Sequence, residues 1–316
     1  VILGKDDELL AIAPMYLSEV YIKSFLKIGR LQLIGGCWHG KETMRTEFME
    51  FIVDEQQGAQ LVRELWKYIE NSILWDECVF KDVSISSSTY KHIESLVKSK
   101  GYRYKCSNEY KNYFLPLDSS FKLYLDSLGA GSRKRIFNKR KILEGFENIV
   151  FKVDANPSIG LAFNELDRLH RLRWSKAVFS KDMLMFNKRF SEISGNRCKV
   201  EFSYILHNEK AISIQYNYVL NKYKYNIQAG FDPFYNKKIS LGYLHFGYEI
   251  EYSYENSIER YYFLVGEGQN SNYKEHLTKS GVGIVDFIVV RSNFLKVLYW
   301  ISNYMHRFLN RAGNHL

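Results

Sequence analysis

The chain has 316 residues, of which 46% are hydrophobic and 16% aromatic, and its formal net charge at pH 7 is +9. This composition excludes a disordered chain, and the length exceeds what one ordinary hydrophobic core fills, so we expect two closely packed units. The positive charge suits an anionic partner: a phosphorylated cofactor, a nucleic acid or an acidic membrane surface. It equally fits a lysine-rich solvated surface.

The four cysteines (Cys37, Cys78, Cys106 and Cys198) show neither a pairing pattern nor a C-x-x-C spacing. This argues against a disulfide framework and a zinc site, so we expect no metal, and reduced cysteines indicate the cytoplasm. No run of 18 uncharged apolar residues occurs. We therefore expect no integral membrane span, and we recognise no signal peptide.

The first half of the sequence predicts a small α/β unit. Its elements are read from the period of the apolar residues, which is near 2 in strands and 3.6 in helices. In chain order they are short strands within residues 8–36, a helix over 58–73, a strand over 78–86, a helix over 87–102 and a strand over 109–117.

The second half predicts a longer series of the same kind, so we expect two related α/β units, residues 1–117 and 118–316. Tight turns join the three middle strands into a meander. The elements are a mostly helical stretch over 118–146 with a break at 129–131, a helix over 157–176, strands over 200–206, 211–220 and 222–231, a helix over 240–254, a strand over 259–266, a short helix around residue 273, a strand over 283–290 and a helix over 292–311.

The loop before the helix predicted at 240–254 is rich in groups that bind anions. Lys237 and Lys238 supply charge, Ser240 can cap the helix or donate to an oxygen, and Gly242 allows a close approach to the backbone. The first helical turn adds unpaired N–H groups and a partial positive charge. This spacing suits a pyrophosphate. The alternative is an ordinary helix start, where serine and glycine are common.

Three stretches, FNELDRLHRLRW, QAGFDPFYNKKISLGYLHF and YYFLVGEGQNSNYKEHL, resemble the CelD-type acetyltransferase-like proteins. These belong to the GNAT superfamily, are often encoded in polysaccharide-synthesis loci and are related in architecture to the FemAB-type peptidyl transferases. The resemblance is clearest over residues 118–280. It implies tandem GNAT-like units, each a mixed, mainly antiparallel sheet flanked by helices, with a shortened or degenerate first unit and an acyl-CoA cleft in the second.

The resemblance also implies roles for individual residues. It identifies the anion expected at the loop before the 240–254 helix as the pyrophosphate of coenzyme A. For the cofactor we expect contacts from Gln228, Lys237, Lys238, Ile239, Ser240, Leu241, Gly242 and Tyr243. For the acceptor the matching positions are Arg173, Trp174, Tyr235 and Lys274.

The chain departs from the family pattern near the end of the strand predicted at 259–266. Tyr262 stands where family members usually carry an aspartate, and Val265 stands where an arginine usually occurs. Residues 268–272 lengthen the loop that follows. These changes lie where the acceptor would be selected.

Transfer of an acyl group from a thioester to an amine requires a neutral amine, a stabilised oxyanion and a proton for the leaving thiolate. Backbone N–H groups over residues 228–230 would polarise the carbonyl. Glu267 is a candidate general base, Tyr273 a candidate proton donor and His170 a further catalytic candidate. The alternatives are a solvated loop glutamate, a packing tyrosine and a hydrogen-bonded helix histidine.

Two acceptor positions also have structural alternatives. Arg173 can bind a carboxylate or phosphate, or it can form a structural ion pair. Trp174 is more typical of a core residue than of a binding residue.

The run GSRKRIFNKRK, residues 131–141, contains six basic residues and no acidic residue. On a helix, Ile136, Arg140 and Leu143 would share one face. The run is typical of a solvated face; the functional alternatives are contact with a nucleotide 3′-phosphate, an anionic glycan or tRNA. The last alternative matters because FemAB-type relatives take their acyl group from aminoacyl-tRNA.

The helix predicted at 292–311 has one apolar face, formed by Phe294, Val297, Leu298, Ile301, Met305 and Phe308. We expect this face to pack against the domain or a second subunit, which would make a homodimer. Docking on a membrane surface is the alternative.

The sequence thus predicts a cytoplasmic N-acyltransferase that moves an acyl group from acetyl-CoA or a longer acyl-CoA to an amine. The acceptor would be a small molecule or sugar, such as an amino sugar or nucleotide-linked sugar of a surface polysaccharide. One alternative is a FemAB-like transferase that uses aminoacyl-tRNA, and another is a non-catalytic assembly protein that retains the fold.

Overall fold

The structure is a computed structural model that describes residues 1–301, apart from residues 23, 36, 39–40, 43–44, 196 and 266–270. By internal packing the chain divides into two compact units. The first comprises residues 1–111 and 282–316, and the second comprises residues 112–281. The predicted functional division into 1–117 and 118–316 stays a prediction.

The chain contains both runs of strands and runs of helices. The elements up to residue 116 are strands β1 (Ile2–Leu3), β2 (Leu9–Ile12), β3 (Met15–Ile22), β4 (Leu26–Leu33), β5 (Cys37–Trp38), β6 (Lys41–Glu42) and β7 (Ile52–Val53), helix α1 (Gly58–Ser72), strand β8 (Glu77–Ser84), helix α2 (Ser88–Ser99) and strand β9 (Arg103–Pro116).

The elements that follow are helices α3 (Phe121–Ser127), α4 (Ala130–Arg133) and α5 (Arg140–Leu143), strand β10 (Ile149–Asp154), helices α6 (Ile159–Trp174) and α7 (Lys181–Ile193), strands β11 (Lys199–His207), β12 (Lys210–Leu220) and β13 (Tyr223–Phe231), helix α8 (Leu241–Glu255), and strands β14 (Arg260–Tyr262) and β15 (Gly281–Val290). Short 3₁₀ helices cover Lys5–Asp7 and Ser271–His276, a π-helix covers Lys134–Asn138, and residues 293–301 are helical.

The first unit is built on a mixed sheet in which β15, β8, β4 and β3 are neighbours. Strands β3 and β4 are antiparallel, β4 and β8 are parallel, and β8 and β15 are antiparallel. The apolar faces of α1 and α2 pack on this sheet. The core includes Trp66 on α1, Phe80 on β8 and Phe287 on β15, and the last two rings stack with centroids 4.5 Å apart.

The second unit has a sheet in the order β10-β11-β12-β13-β14-β9. Its neighbours are antiparallel except for β13 and β14, which are parallel. Alternate residues of β12 show which helices cover each face. Ser213 contacts His245 on α8, whereas the Tyr216 hydroxyl donates to Asn187 on α7. Helix α8 therefore covers one face, and α7 lies on the other, where the Phe163 ring of α6 also packs on Tyr216.

Both units repeat one order of elements: two antiparallel strands, a helix, then a strand parallel to the second. These are β3, β4, α1 and β8 in the first unit, and β12, β13, α8 and β14 in the second. The predicted fold class, tandem α/β units with mixed, mainly antiparallel sheets flanked by helices, is confirmed.

Several predictions of single elements were wrong. Strand β10 (Ile149–Asp154) and helix α7 (Lys181–Ile193) were not anticipated, and the strand predicted over 259–266 ends at Tyr262. In the final helix Leu295 is fully buried, whereas Phe294 and Val297 of the predicted packing face are exposed. Met305 and Phe308 lie outside the described residues.

Polar side chains occupy the interior between α8 and the sheet of the second unit. The Lys224 ammonium lies 2.9 Å from carboxylate oxygens of both Glu201 and Glu249, and Lys224 and Glu249 are fully buried. Nearby, the His245 ring lies 2.9 Å from the hydroxyl of Ser203 and 2.7 Å from that of Ser213. These contacts fix the register of α8 on the strands, because separating them would leave buried polar groups unpaired.

Burial lowers the pKa of His245 from its ordinary value of 6.5 to about 4. Between these values the unfolded chain binds a proton that the folded chain does not, so stability falls as pH falls through this window, by about 3 kcal/mol in total. We expect His245→Gln to remove this component. Urea unfolding at pH 7 and pH 4.5 measures it, and equal losses of stability in wild type and variant would contradict the assignment.

Candidate functional site

The parallel strands β13 and β14 separate in the middle of the second unit. They pair over three positions only, from Tyr223 with Arg260 to Tyr225 with Tyr262. Strand β13 continues to Phe231, whereas β14 ends. The second half of β13 therefore has no strand partner on its β14 side within the described part of the chain.

The chain after β14 is held away from β13 by three features. The Phe263 N–H donates to the Tyr113 carbonyl on β9 at 3.0 Å. Leu264 has a positive φ of 54°, which is uncommon outside glycine. The Lys274 ammonium donates to the carbonyls of Leu264 and Val265 at 2.5 and 2.6 Å. Because Lys274 is buried in this role, it positions the backbone, and its predicted contact with the acceptor stays a prediction.

The backbone N–H groups of Ala229 and Phe231 point into the gap beside β13. The Asp232 N–H donates to the Ile212 carbonyl on β12, and donors alternate between the two sides of a strand. The N–H groups of Gly230 and Gln228 therefore also face β12, and that of Ala229 faces the gap. Of the backbone N–H groups predicted to polarise a carbonyl over residues 228–230, only that of Ala229 therefore faces the gap. Its N–H donates to the Gln228 side-chain oxygen at 3.0 Å.

Helix α8 begins beside this gap, after Ser240. The predicted capping bond is absent, because the Ser240 side chain accepts no N–H of the first turn. Gly242 faces the Phe231 ring: a β-carbon there would lie 2.8 Å from Phe231 Cε1. The absence of a side chain at Gly242 therefore makes room for the Phe231 ring. The approach of a phosphate to this backbone stays a prediction. Ile239 and Leu241 are buried in an apolar cluster, so only their backbone can meet a ligand.

Cations from a separate segment surround the same helix start. The Arg135 guanidinium lies 5.6 Å from the centroid of the Tyr243 ring, and the Lys139 ammonium donates to the Lys238 carbonyl. Lys237 and Lys238 are exposed in the loop just before α8. With the partial charge of the helix terminus, these groups make a positive local potential that favours an anion.

Only part of the basic run 131–141 is a solvated face. Ile136, Arg140 and Leu143 are all buried, which confirms the predicted shared face. The Arg140 guanidinium forms an ion pair with Glu251 and lies 3.8 Å from the centroid of the Tyr248 ring. Arg140 is thus a structural residue that joins the run to α8.

The run approaches α8 very closely at Gly247. A β-carbon at this position would lie 1.9 Å from the Ile136 carbonyl oxygen, so only glycine fits. The contact falls within the π-helix Lys134–Asn138, and π-helical turns occur frequently at functional sites. This close packing carries Arg135 and Lys139 to the start of α8.

Tyr273 packs against the first two turns of α8. Its ring centroid lies 5.6 Å from that of Tyr243 and 5.9 Å from that of Phe246. Burial raises the pKa of Tyr273, the neighbouring Tyr243 raises it further, and the nearby Arg173 opposes the rise. The phenol therefore remains protonated at neutral pH, as a proton donor to a thiolate must.

Arg173 lies at the end of α6 between two aromatic rings. Its guanidinium is 4.6 Å from the centroid of Trp174 and 4.8 Å from that of Phe231. Burial lowers the pKa of Arg173, although the group stays charged. Trp174 is 45% exposed, so the expectation that it belongs to a core was wrong.

His170 is a buried, hydrogen-bonded helix residue. Its Nδ1 lies 3.1 Å from the Lys176 carbonyl, which can only accept, so the proton sits on Nδ1 and Nε2 is left as an acceptor. Burial lowers the pKa of His170. A neutral imidazole with a basic Nε2 suits proton abstraction as well as structure.

The structure places Arg173 and Gly242 beside the Phe231 ring, and Tyr273 beside Tyr243, the residue after Gly242. It places Tyr235 elsewhere: the Tyr235 hydroxyl lies 3.0 Å from His207 Nδ1, and the ring packs beside Phe146. Gly266, Glu267 and residues 268–270 lie outside the described residues. The role of Glu267 as a base therefore stays a prediction.

Three further residues of this region lie within segments that the sequence had marked. Ala229 lies within the predicted donor segment 228–230, and Arg135 and Lys139 lie within the basic run marked for phosphate contact. No site role was predicted for Phe231, whose place beside Gly242 and Arg173 depends on how α6 and α8 pack against β13.

Residues 130–275 match the family model described as an acetyltransferase (GNAT) domain. This part of the chain is similar to that domain, and most of the residues described above lie within it. No protein in the curated set matches the sequence.

Several solved structures share the fold at low sequence identity. FemX has a TM-score of 0.61 at 11% identity, covering 94% of this chain and 88% of its own. L-PGS from Bacillus licheniformis has a TM-score of 0.53 at 12% identity, covering 98% and 88%. A conserved protein of unknown function from Bacteroides thetaiotaomicron has a TM-score of 0.53 at 10% identity, covering 89% and 84%. At these identities the likeness concerns the fold alone.

Two searches of the described residues gave negative results. None of the helices in that part of the chain combines the length and the apolar character needed to cross a bilayer. Within the same residues, no cluster of three or more histidine, cysteine, aspartate or glutamate side chains is arranged to hold a metal ion.

The contact between Gln228 and Ala229 yields a prediction. Replacing Gln228 by alanine frees the Ala229 N–H, and a displaced hydrogen bond is worth about 1 kcal/mol net. We expect the variant to bind acetyl-CoA about fivefold more tightly in calorimetry. Gln228→Glu keeps an acceptor at this place and is the matched control, which should not gain affinity. Equal affinity of Gln228→Ala and wild type would exclude Ala229 as the carbonyl donor.

Proposed function

We propose that the chain is an N-acyltransferase that moves an acyl group from acyl-CoA to an amine. The observation that carries the proposal is the gap between β13 and β14, which leaves the Ala229 N–H beside a cationic helix start. The diphosphate of the cofactor would lie at the first turn of α8, near Lys237, Lys238, Arg135 and Lys139. Its thioester would extend along β13 towards Ala229.

The proposed reaction needs no covalent enzyme intermediate. The amine nitrogen attacks the thioester carbonyl, whose developing oxyanion accepts the Ala229 N–H. The C–N bond forms, the C–S bond breaks, and the thiolate takes the proton of Tyr273. The proton lost by the amine goes to a base, for which we propose His170 Nε2 or Glu267.

The acceptor is the least constrained part of the proposal. The resemblance to CelD-type proteins supports an amino sugar or nucleotide-linked sugar of a surface polysaccharide, handled in the cytoplasm. A reading of function from fold and family alone is an analogy. Mass spectrometry of amines incubated with acetyl-CoA and the protein tests it, and modification of non-sugar amines alone would contradict the sugar acceptor.

A second candidate is transfer from aminoacyl-tRNA. The basic run favours it, because Lys134, Arg135 and Lys141 are exposed beside the proposed cleft, and the FemX fold is consistent with it. Ribonuclease treatment distinguishes the donors: activity that disappears with ribonuclease and does not return with acetyl-CoA would replace our proposal. A protein that takes up no donor of either kind would be a non-catalytic assembly protein.

The two exposed lysines before α8 provide a direct test of the cofactor site. The double variant Lys237→Glu, Lys238→Glu places negative charge where the diphosphate should lie. We expect its affinity for acetyl-CoA, measured by calorimetry, to fall at least about tenfold.

S-acetylpantetheine, which lacks the diphosphate, should bind this variant and wild type equally. The matched control is Lys122→Glu, Lys210→Glu, which reverses two exposed lysines elsewhere in the second unit. If acetyl-CoA bound the Lys237, Lys238 variant as tightly as the control, the cofactor site would lie elsewhere.

A further inference from the structure

We propose that the outer edge of strand β3 is an interaction surface that binds a second copy of this chain, with the two β3 strands antiparallel. The surface lies wholly within the first unit and uses none of the residues on the apolar face of the final helix. The inference does not depend on the proposed function.

Strand β3 is the last strand of its sheet. It pairs with β4 on one side, and no other strand of the described residues lies on its outer side. It runs for eight residues without a bulge, whereas an average strand has about five or six. Edge strands that remain unpaired are commonly short, bulged, or protected by lysine or proline. Strand β3 contains neither lysine nor proline, and Glu19 is its one charged residue, so this edge lacks the usual protection.

The pairing with β4 shows which backbone groups of β3 point outward. The Ile34 N–H donates to the Pro14 carbonyl at 2.8 Å, so these two residues form a hydrogen-bonded pair, and such pairs recur at every second residue of an antiparallel ladder. The even-numbered residues of β3 therefore bond to β4. The N–H and C=O groups of Leu17, Glu19 and Tyr21 point away from β4, and their side chains are exposed. They are thus placed to pair with another strand.

A twofold axis through Glu19 makes this edge complementary to itself. It places Leu17 opposite Tyr21 of the partner subunit, with about 5 Å between the two β-carbons, so that both side chains lose apolar surface to water. The two Glu19 carboxylates would meet at the axis. Each has the Lys27 ammonium 2.8 Å away, so the four charges balance. Because both copies contribute the same residues, the contact closes with two chains.

A surface pocket of about 660 Å³ lies beside this edge, lined by Leu17 and Glu19 on one side and by Leu74 on the other. It lies on the face that carries the outward side chains: Gly29 is opposite Glu19, and a β-carbon on Gly29 would lie 3.6 Å from the Leu74 carbonyl oxygen. Tyr21 of the partner subunit would lie beside Leu17, at the rim of this pocket. Its ring would enter the pocket and cover the exposed Leu74 side chain.

Sedimentation equilibrium of the full chain at about 1 to 200 μM tests the proposal. We expect wild type to form dimers with a Kd on the order of 10 μM, because the edge of one strand makes a small interface. Tyr21→Lys should weaken dimerisation at least about tenfold, since it removes the ring and adds a charge to the edge. The matched control is Tyr68→Lys on α1, because Tyr68 is 65% exposed and Tyr21 is 64% exposed. A wild type that stays monomeric, or a dimer that Tyr21→Lys leaves intact, overturns the proposal.

Cysteine cross-linking tests the position of the twofold axis. The axis brings residue 19 of both copies opposite each other, with about 5.5 Å between their Cα atoms, which a disulfide can span. We expect Glu19→Cys to form a reducible dimer under mild oxidation. Leu17→Cys, on the same face two positions away, is the matched control and should cross-link no more than wild type, whose Cys106 is exposed. Cross-linking of Leu17→Cys as efficient as that of Glu19→Cys would contradict the proposed pairing.

Discussion

The early end of the pairing between β13 and β14 is the constraint on which the second unit depends. Two parallel strands that stayed paired would use their backbone donors on each other. Here Phe263 bonds to Tyr113 instead, and the Lys274 ammonium holds the next two carbonyls. The left-handed backbone of Leu264 is the local cost of this arrangement. In return the Ala229 N–H faces a gap, where it can meet a ligand.

Much of the fold could be predicted because its elements have strong periodic patterns. The meander β11–β13 and helix α8 agree with prediction to within a residue or two, since tight turns and apolar alternation fix them. Helix α7 was not predicted because it lacks the usual pattern of buried apolar and exposed polar residues. Its fully buried residue is the polar Asn187, which accepts hydrogen bonds from two tyrosine hydroxyls, while Met185 and Phe186 are exposed.

The site was predictable only where its residues are adjacent in sequence. Lysines, serine and glycine before α8 carry a local signal, and the structure places them at a helix start as expected. The alternation in ERYYFLVG equally predicted a strand to residue 266, yet a hydrogen bond to β9 and the Lys274 ammonium end it at Tyr262. Such competition between distant groups has no sequence signature, so the point at which β14 ends could not be derived, although carbonyl donors were predicted over residues 228–230.

The buried polar side chains between α8 and the sheet hold the start of α8 differently from the way Arg173 is held. Lys224 with its two glutamates, and His245 with its two serines, fix α8 on the strands, so the helix start and the Ala229 N–H keep a constant separation. The acyl-CoA donor that we propose would be bound by such a preorganised arrangement without rearrangement of the backbone. Arg173, by contrast, lies between two aromatic rings and has no acidic partner among the described residues. The start of α8 is thus held in place by buried polar contacts, whereas Arg173 is held by aromatic rings.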